Sequence, residues 1–310
     1  MGNASRAAII SDRMITGLSA EVIAELVTEL GPLWHERHQA RLTSMPRKRA
    51  VGAGAKHRLV FVDRLLATLV HLRHATTHDV LACWFGVDRS TLTRAITEVR
   101  PLLAERGCTV GPGVRLRTLA EVIDHLGADG KTGIVDGTEI RVRRPAAGRK
   151  DRDRFTSGRS RQNAVKTMVV TDGDGRVLFC SPARPGSCAD ITHARQVGLV
   201  TLLADGPVVE ILADAGYQGL GAQTGGRVIT PPHRTFKKNA PGWYEEMYER
   251  RRKAHSSRRI RVEHGIAHLK NRRVLTRHLG RREHMDHTVQ AVAGLLSHQQ
   301  TADLASARPM

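Results

Sequence analysis

The sequence predicts an α/β fold in which helices cover both faces of a mixed β-sheet and an all-helical region comes first. In the N-terminal third, apolar residues recur every three or four positions, as they do along one face of a helix. From residue 131 onward, short segments rich in β-branched residues alternate with turn signals, which is typical of strands. Strands followed by further helices favour a sheet covered on both faces.

The individual elements are predicted from these patterns in chain order. Helices are expected near 20–30, 57–73, 77–85, 89–104, 118–126, 188–198, 241–253, 256–275 and 285–300. Strands are expected at GIVDGTEIRV, AVKTMVVTD, RVLFCSPA, VVEILAD and RVITPP. The first helix is expected to stop at Gly31-Pro32, residues 43–56 to form a basic loop, and residues 111–113 to form a linker. We expect a helical region at 1–110, a linker and lead-in helix at 111–128, and an α/β domain at 129–310.

Composition points to a nucleic acid partner in a reducing compartment. The chain has 49 Lys and Arg against 30 Asp and Glu, a formal charge of +19, which favours a polyanion-binding surface. The basic residues are spread over several segments, whereas basic membrane binders concentrate them on one amphipathic helix. The four cysteines form no CxxC pair, and no apolar run approaches the roughly 20 residues that cross a bilayer. We therefore expect a cytoplasmic protein that binds double-stranded DNA and no membrane.

A helix-turn-helix is predicted at about residues 77–104. Ala82 permits close helix approach, Gly86 can adopt the positive φ of the turn, and Asp88 can cap the second helix. Apolar residues of the second helix fall on one face, and the residues expected to face the major groove fall on the other: Arg89, Ser90, Thr93, Arg94 and Thr97. The alternative is a plain helical hairpin with a solvated polar face.

Three carboxylates stand in contexts that suggest metal binding. Asp136 interrupts an apolar strand, Asp214 ends a buried strand just before Gly216, and Glu263 lies in an arginine-rich helix. Each alone could be a paired buried acid or a strand-end cap. Together they offer hard oxygen ligands at the edge where open α/β sheets bind ligands. Two Mg²⁺ ions (or Mn²⁺), about 3.5–4 Å apart, could then activate a nucleophile and stabilise the leaving oxygen of a phosphodiester.

Basic residues flank these carboxylates. Arg259 and Lys270 lie four residues before and seven after Glu263, which places all three within a narrow sector of one helix face. We expect both cations to contact the DNA backbone near the cut. Residues 141–161 include nine basic and two acidic residues. We predict that they form a loop that binds phosphates rather than one that is merely solvated.

These residues occur in blocks that resemble a known family. VDGTEIRVRRP, RQNAVK, SPARPGSCADITHA, ILADAGYQG and RRIRVEHGIAHLK resemble, in that order, DDE-type transposases of bacterial insertion sequences. The resemblance, over about residues 57–300, is to the group with a leading helix-turn-helix and a Harbinger-like catalytic domain. It implies a ribonuclease H-like fold for 129–310, with catalytic, metal-binding Asp136, Asp214 and Glu263. A related motif, Tyr-x2-Arg-x3-Glu-x6-Lys, is met at Arg259, Glu263 and Lys270, but Ser256 stands at its first position.

Other polar residues receive a structural interpretation. Strand alternation points Glu139 away from the Asp136 face, and Asp172 and Asp174 lie in a turn. Asp190 begins a helix, and the resemblance implies a supporting role near the site. His264 and His268 share a helix face, but Gly265 stands where a zinc protease has its glutamate.

Two function classes remain after this reading. The first is an enzyme that cleaves and transfers DNA strands at the ends of an insertion sequence, working as a homodimer or higher oligomer in a synaptic complex. The second is an inactive DNA-binding regulator. A nuclease that cuts without joining would have the same residues and stays open as a variant of the first.

Overall fold

The computed structural model describes residues 2–44, 58–148, 150–235, 241–278 and 280–307. Most of the basic segment predicted as a loop at 43–56 lies outside these ranges. The α-helices are α1 Asn3–Ser11, α2 Arg13–Thr16, α3 Ala20–Thr43, α4 Phe61–His74, α5 His78–Phe85, α6 Arg89–Glu105, α7 Leu119–Ala128, α8 Asp190–Gln196, α9 Leu199–Asp205, α10 Leu220–Gln223, α11 Gly242–Lys270 and α12 Met285–Ala307. The strands are β1 Cys108–Gly111, β2 Val114–Leu116, β3 Gly133–Val142, β4 Ala164–Asp172, β5 Val177–Cys180, β6 Arg184–Pro185, β7 Ile211–Leu212, β8 Val228–Ile229 and β9 Arg277–His278.

The central sheet is mixed, as predicted. Its strands lie in the order β5-β4-β3-β7-β8, while β6 pairs with β4 and β9 pairs with β3. The strands β3, β4 and β5 are antiparallel neighbours, whereas β7 runs parallel to β3 and β8 runs parallel to β7. If these five strands are numbered 1 to 5 by their order in the sequence, their order across the sheet is 3-2-1-4-5. This arrangement, with helices on the sheet and an all-helical region before it, confirms the predicted fold class.

Two hydrophobic clusters cover the two faces of the sheet. One joins residues of α7, α8, α9 and α10 to Val135, Met168 and Val170. The other joins α3, α4, α5, α6 and α12 to Ile140 and Val169. The N-terminal helices thus share a core with the sheet. The domain limits given above stay a prediction.

The helix-turn-helix forms where it was predicted. Helices α5 and α6 are joined by Gly86 in the left-handed region (φ 64°), and Val87 donates its backbone N–H to Ala82 O at 3.0 Å. Asp88 stands at the N-cap of α6, although its side chain makes no capping hydrogen bond. Leu92, Ile96 and Val99 are fully buried on the inner face.

Three local predictions were wrong. Helix α3 continues through Gly31-Pro32 to Thr43, because Pro32 is exposed while Trp34 and His38 beyond it are buried and stacked at 5.0 Å. The predicted helices at 241–253 and 256–275 are one helix, α11, which ends at Lys270. The predicted linker at 111–113 is the turn of the β1–β2 hairpin.

A nearly buried ion pair joins the helices that carry the helix-turn-helix. The Glu98 carboxylate of α6 lies 2.8 Å from Arg64 of α4 and 2.7 Å from Arg41 of α3, and it accepts a hydrogen bond from Trp34 Nε1 at 3.1 Å. The Arg64 side chain is only 5 % exposed. Burial alone would raise the pKa of Glu98, but the hydrogen bonds from Arg41 and Trp34 and the charge of Arg64 lower it.

We predict that Glu98→Gln destabilises the protein by about 3 kcal/mol, because it leaves the Arg64 charge buried without a counter-ion. Urea unfolding followed by circular dichroism measures the change. The matched control is Glu105→Gln on the same helix, whose ion pair with Arg37 is half exposed on both sides. That control should change stability by no more than about 1 kcal/mol. Equal effects of the two substitutions would contradict the prediction.

Candidate active site at the ends of two parallel strands

The register of β3 and β7 brings Asp136 and Asp214 to the same level of the sheet. Ile134 of β3 is paired with Leu212 of β7 in a parallel ladder. Each aspartate lies two residues farther along its own chain, so it follows its paired residue on the same face. Neighbouring strands lie about 4.8 Å apart. The two carboxylates predicted from the sequence therefore project side by side where the ladder ends.

Helix α11 lies across this face. Ile134, Leu212 and Val262 form a small buried cluster of their own, with Ile229 and Ile266 packed against it. Farther toward the N-terminus of α11, the ring of His255 donates to Ile229 O on β8 at 3.2 Å. These contacts fix the helix so that Arg259 and Glu263, which flank Val262, reach the ends of the strands.

Arg259 lies between two of the predicted carboxylates. One of its guanidinium nitrogens (Nη1) donates to Asp136 Oδ2 at 2.7 Å, and the other (Nη2) donates to Glu263 Oε1 at 2.6 Å. Burial would lower the pKa of Arg259, but the charges of Asp136, Glu263 and Asp214 and the hydrogen bond to Asp136 raise it. Arg259 thus contacts both Asp136 and Glu263 directly, and the charge of Asp214 acts on it as well.

Asp136 and Asp214 differ in their surroundings. Burial raises the pKa of Asp136 above its ordinary value, and the charge of Asp214 adds to the rise, while Arg259 and the backbone N–H of Gly137 oppose it. Asp214 accepts the backbone N–H of Gly216 at 2.9 Å and caps a short 3₁₀ helix, Ala215–Tyr217. The mutual repulsion of these carboxylates is the electrostatic condition that a bound cation relieves.

A fourth carboxylate, Asp190, lies next to Gly137 and Gly216, which come shortly after Asp136 and Asp214 in the chain. A Cβ atom added to Gly137 would come within 2.4 Å of Asp190 Oδ1, and one added to Gly216 would come within 2.9 Å of Asp190 Oδ2. Asp190 forms an ion pair with Lys166 of β4 at 3.1 Å, and both side chains are mostly buried. Its predicted place at a helix start is correct, since it is the first residue of α8. Sequence reasoning missed Lys166, although a single lysine in the apolar strand AVKTMVV is a signal that could have found it.

Tyr217 is a second residue that sequence reasoning missed. It is 1 % exposed, and burial, followed by the charges of Asp190, Asp136 and Asp214, raises its pKa well above the ordinary value. The phenol therefore stays neutral next to three carboxylates. The sequence gives no sign that the turn after Asp214 packs its tyrosine inward.

Glu139 anchors the basic loop predicted at 141–161. Its carboxylate accepts hydrogen bonds from Ser157 Oγ at 2.6 Å and Ser160 Oγ at 2.9 Å. Its charge also opposes the lowering of the pKa of Lys270 that burial causes. The structural reading of Glu139 fits these contacts. They hold Arg159 near Lys270, so the loop lies beside the carboxylate site.

The predicted DNA-reading residues of α6 are all exposed: Arg89, Ser90, Thr93, Arg94 and Thr97. Arg89 forms an exposed ion pair with Asp79 at 3.4 Å, and the His78 ring lies 2.9 Å from Thr93 Oγ1. No hydrogen bond or ion pair joins the Arg94 side chain to any residue that the structure describes. Exposure agrees with a helix that meets DNA, and the individual roles stay predictions.

The donor set fits a divalent cation in its chemistry. All the candidate ligands are carboxylate oxygens, which Mg²⁺ and Mn²⁺ prefer. Within the described ranges, no three Asp, Glu, His or Cys side chains are already close enough together to hold a metal, and Arg259 provides the positive charge between Asp136 and Glu263. His264 and His268 are exposed on α11. The ligand set Asp136, Asp214 and Glu263 therefore stays a prediction.

Comparison with known families decides the assignment. Residues 135–297 match the family described as DDE superfamily endonuclease, which spans more than half of the chain. This chain belongs to that family. Residues 57–109 match the helix-turn-helix of DDE superfamily endonucleases. The family expected from the sequence is thereby confirmed, and with it an enzyme that cleaves DNA, a DNA-binding helix-turn-helix and the family's use of divalent metal.

Individual relatives resemble this chain to different degrees. The chain is 29 % identical, over 269 residues, to a candidate transposase for insertion sequence element IS112 from Streptomyces albus G, covering 82 % of this DDE endonuclease and 90 % of the relative. It is 14 % identical to a chain of a pre-cleavage Mos1 transpososome and 12 % identical to one of a Mos1 mariner paired end complex with Mn. Each alignment covers 89 % of this chain and 87 % of the other, with a TM-score of 0.19. Because these TM-scores are low, the fold assignment rests on the observed strand order and not on the likeness to these structures. No helix within the described ranges is long and apolar enough to cross a membrane.

We predict that Gly137→Ala lowers the free energy of unfolding by about 1–3 kcal/mol, because the new Cβ would overlap Asp190 Oδ1. In Gly137→Ala/Asp190→Ala the overlapping carboxylate is absent, so the double variant should lose less than the sum of the two single variants. A double-mutant cycle by urea unfolding should give a coupling of at least about 1 kcal/mol. Strictly additive losses would show that Asp190 does not restrict Gly137.

Proposed function

We propose that this DDE endonuclease is the transposase of a bacterial insertion sequence, which cleaves strands at the element ends and joins them to target DNA. The observation that carries the proposal is the parallel register of β3 and β7, which sets Asp136 beside Asp214 under the helix bearing Glu263. Metal-assisted phosphodiester chemistry needs carboxylates that several elements supply to one site, and these two strands and this helix would supply them.

Asp136, Asp214 and Glu263 would hold two Mg²⁺ or Mn²⁺ ions. When bound, the ions would supply a cationic field that activates the attacking hydroxyl and stabilises the leaving oxygen. Arg259 offsets the carboxylate charge, which would otherwise repel a scissile phosphate. Lys270, at the end of the same helix, and the basic loop anchored by Glu139 would position the backbone on either side.

The helix-turn-helix would bind the duplex near the element end. We propose a DNA-binding region at 1–110, a connecting segment at 111–128 that completes the β1–β2 hairpin and contains α7, and a catalytic domain at 129–310. Cleavage at two ends that are then joined requires at least two active sites in one complex, so a homodimer or higher oligomer is the proposed working form.

We predict that Asp136→Asn, Asp214→Asn or Glu263→Gln lowers Mg²⁺-dependent strand cleavage at least about a hundredfold, because each removes a charge worth several kcal/mol in the transition state. DNA affinity should remain, since no phosphate contact is removed. The assay incubates full-length protein with a labelled duplex of the DNA flanking its gene and separates nicked and joined products on a gel. The controls are Asp174→Asn in an exposed turn and Glu249→Gln on the exposed part of α11.

The cleavage assay also distinguishes the alternative functions. Cleavage close to wild type in one carboxylate variant would remove that residue from the site. Nicks without joined products would identify a nuclease that does not transfer strands. Binding without any cleavage by the wild type would favour an inactive DNA-binding regulator.

We predict that Arg94→Ala weakens duplex binding without metal and lowers the slope of log K against log salt by about 1, as expected for one lost phosphate contact. Fluorescence anisotropy with full-length protein measures both. Arg117→Ala is the matched control, since Arg117 is also exposed but lies between β2 and α7. If Arg94→Ala and Arg117→Ala bind alike, residues 78–99 are a structural hairpin.

A further inference from the structure

A basic cleft lies between the carboxylate site and the helix-turn-helix. It has a volume of about 650 Å³, and its basic lining residues are Arg73, His74, Lys270, Arg273 and Arg277. Arg73 and His74 end helix α4, which leads within three residues to the first helix of the helix-turn-helix. Lys270 ends helix α11, which carries Glu263. The cleft therefore joins the two parts of the protein that are proposed to hold DNA.

The basic side chains of this cleft form no direct ion pair with the carboxylates that the structure describes. No carboxylate lines it. Nowhere in the described ranges do Arg73, Lys270, Arg273 or Arg277 form an ion pair, and the one hydrogen bond of Arg73 goes to the backbone carbonyl of Asn271 at 3.1 Å. Some other arginines of the catalytic part are paired, as Arg176 is with Asp172 and Arg259 with Asp136. The cleft thus gathers several basic side chains with no acid among its lining residues.

A buried arginine adds to this excess of positive charge. Arg272 is 3 % exposed and donates to Thr16 O at 3.0 Å, with no carboxylate partner within the described part of the chain. It lines a smaller cavity of about 330 Å³ that shares Met14, Arg73 and Asn271 with the cleft. Burial, and then the charge of Arg73, lowers the pKa of Arg272 to about 9. Since an uncompensated buried charge is costly, an anion bound nearby would stabilise this region.

We propose that this basic cleft binds backbone phosphates of the DNA segment that runs from the carboxylate site to the helix-turn-helix. The inference rests on the proposed function. Cleft size alone would admit a small ligand, since small-molecule pockets span about 300–1,000 Å³. The lining favours a polyanion, because three arginines and a lysine lie in the cleft without a carboxylate partner, and guanidinium forks match phosphate oxygens. A polymer can also reach both neighbouring sites at once.

The test removes two of these charges at the surface. Arg273 and Arg277 are exposed and without described partners, so Arg273→Gln/Arg277→Gln should leave the melting temperature nearly unchanged. Anisotropy of a labelled mixed-sequence duplex, titrated with full-length protein at several KCl concentrations, gives the salt dependence of binding. We predict that the slope of log K against log salt falls by about 2, since each phosphate contact contributes about 0.9. Arg273→Lys/Arg277→Lys should retain most of the slope.

The matched control removes the same charge elsewhere. Arg117→Gln/Arg195→Gln changes two exposed arginines on the side of α7 and α8, and should leave the slope unchanged. A slope in Arg273→Gln/Arg277→Gln no lower than in this control would overturn the proposal. So would a thermal shift with sodium phosphate that disappears in Arg273→Gln/Arg277→Gln while the DNA slope stays, because the occupant would then be a small anion.

Failure of the cleft proposal can be distinguished from failure of the proposed function. Wild-type protein that cleaves and joins DNA, together with an unchanged slope in Arg273→Gln/Arg277→Gln, would overturn the cleft alone. Wild-type protein that neither nicks nor joins DNA, together with the predicted loss of slope, would overturn the proposed function and retain the cleft as a DNA-binding surface.

Discussion

The parallel pairing of β3 with β7 is the constraint on which the active site depends. A strand that slips by one residue turns each side chain to the opposite face, so a shift in this ladder would move Asp214 away from Asp136. The ladder has only two residue pairs, Gly133 with Ile211 and Ile134 with Leu212. Its register is held by packing, since Ile134 and Leu212 are buried against Val262 of α11. The same packing sets the position of Glu263, the next residue along that helix.

Two groups of arginines in this chain have different physical roles. Arginines such as Arg64 and Arg259 face carboxylates at 2.8 and 2.7 Å and fix helices or the carboxylate site. Arg73, Arg273 and Arg277 face solvent in a cleft without an acid among its lining residues. The first group is neutralised within the protein and adds little to long-range attraction. The second group provides the field that draws a polyanion toward the site.

Much of this could be predicted from the sequence, because the informative residues break a local rule. Burying the Asp136 carboxylate in an apolar strand costs free energy unless the residue has a function, so its position alone indicates the site. Lys166 breaks the same rule in β4, yet its partner Asp190 lies 24 residues away and its meaning depends on three-dimensional contact. The helix-turn-helix was predictable because Gly86 and the apolar face of α6 are local signals.

Two of the errors, on α3 and on α11, had a common cause. Gly31-Pro32 is a strong local stop signal, and helix α3 overrides it through the packing of Trp34 and His38 beyond the proline. Two separate helices were expected at 241–253 and 256–275, but His255 and Val262 anchor α11 to the sheet and the helix runs on without a break. Tertiary contacts decided both cases, and a single sequence contains no direct record of such contacts.

The orientation of the helix-turn-helix relative to the carboxylate site is set by helix α12 rather than by a free linker. Gly107, just after α6, lies so close to α12 that a Cβ on Gly294 would come within 2.6 Å of Gly107 O. Thr109, in β1, donates its backbone N–H to Ser297 Oγ of α12 at 2.9 Å. The far part of the same helix provides Gln300, which accepts the backbone N–H of Val177 in the central sheet at 3.2 Å. Because α12 binds both parts, the distance from the exposed face of α6 to Asp136 is fixed by packing. A fixed distance defines how far from the bound sequence a strand can be cut, and the basic cleft lies on the path between them.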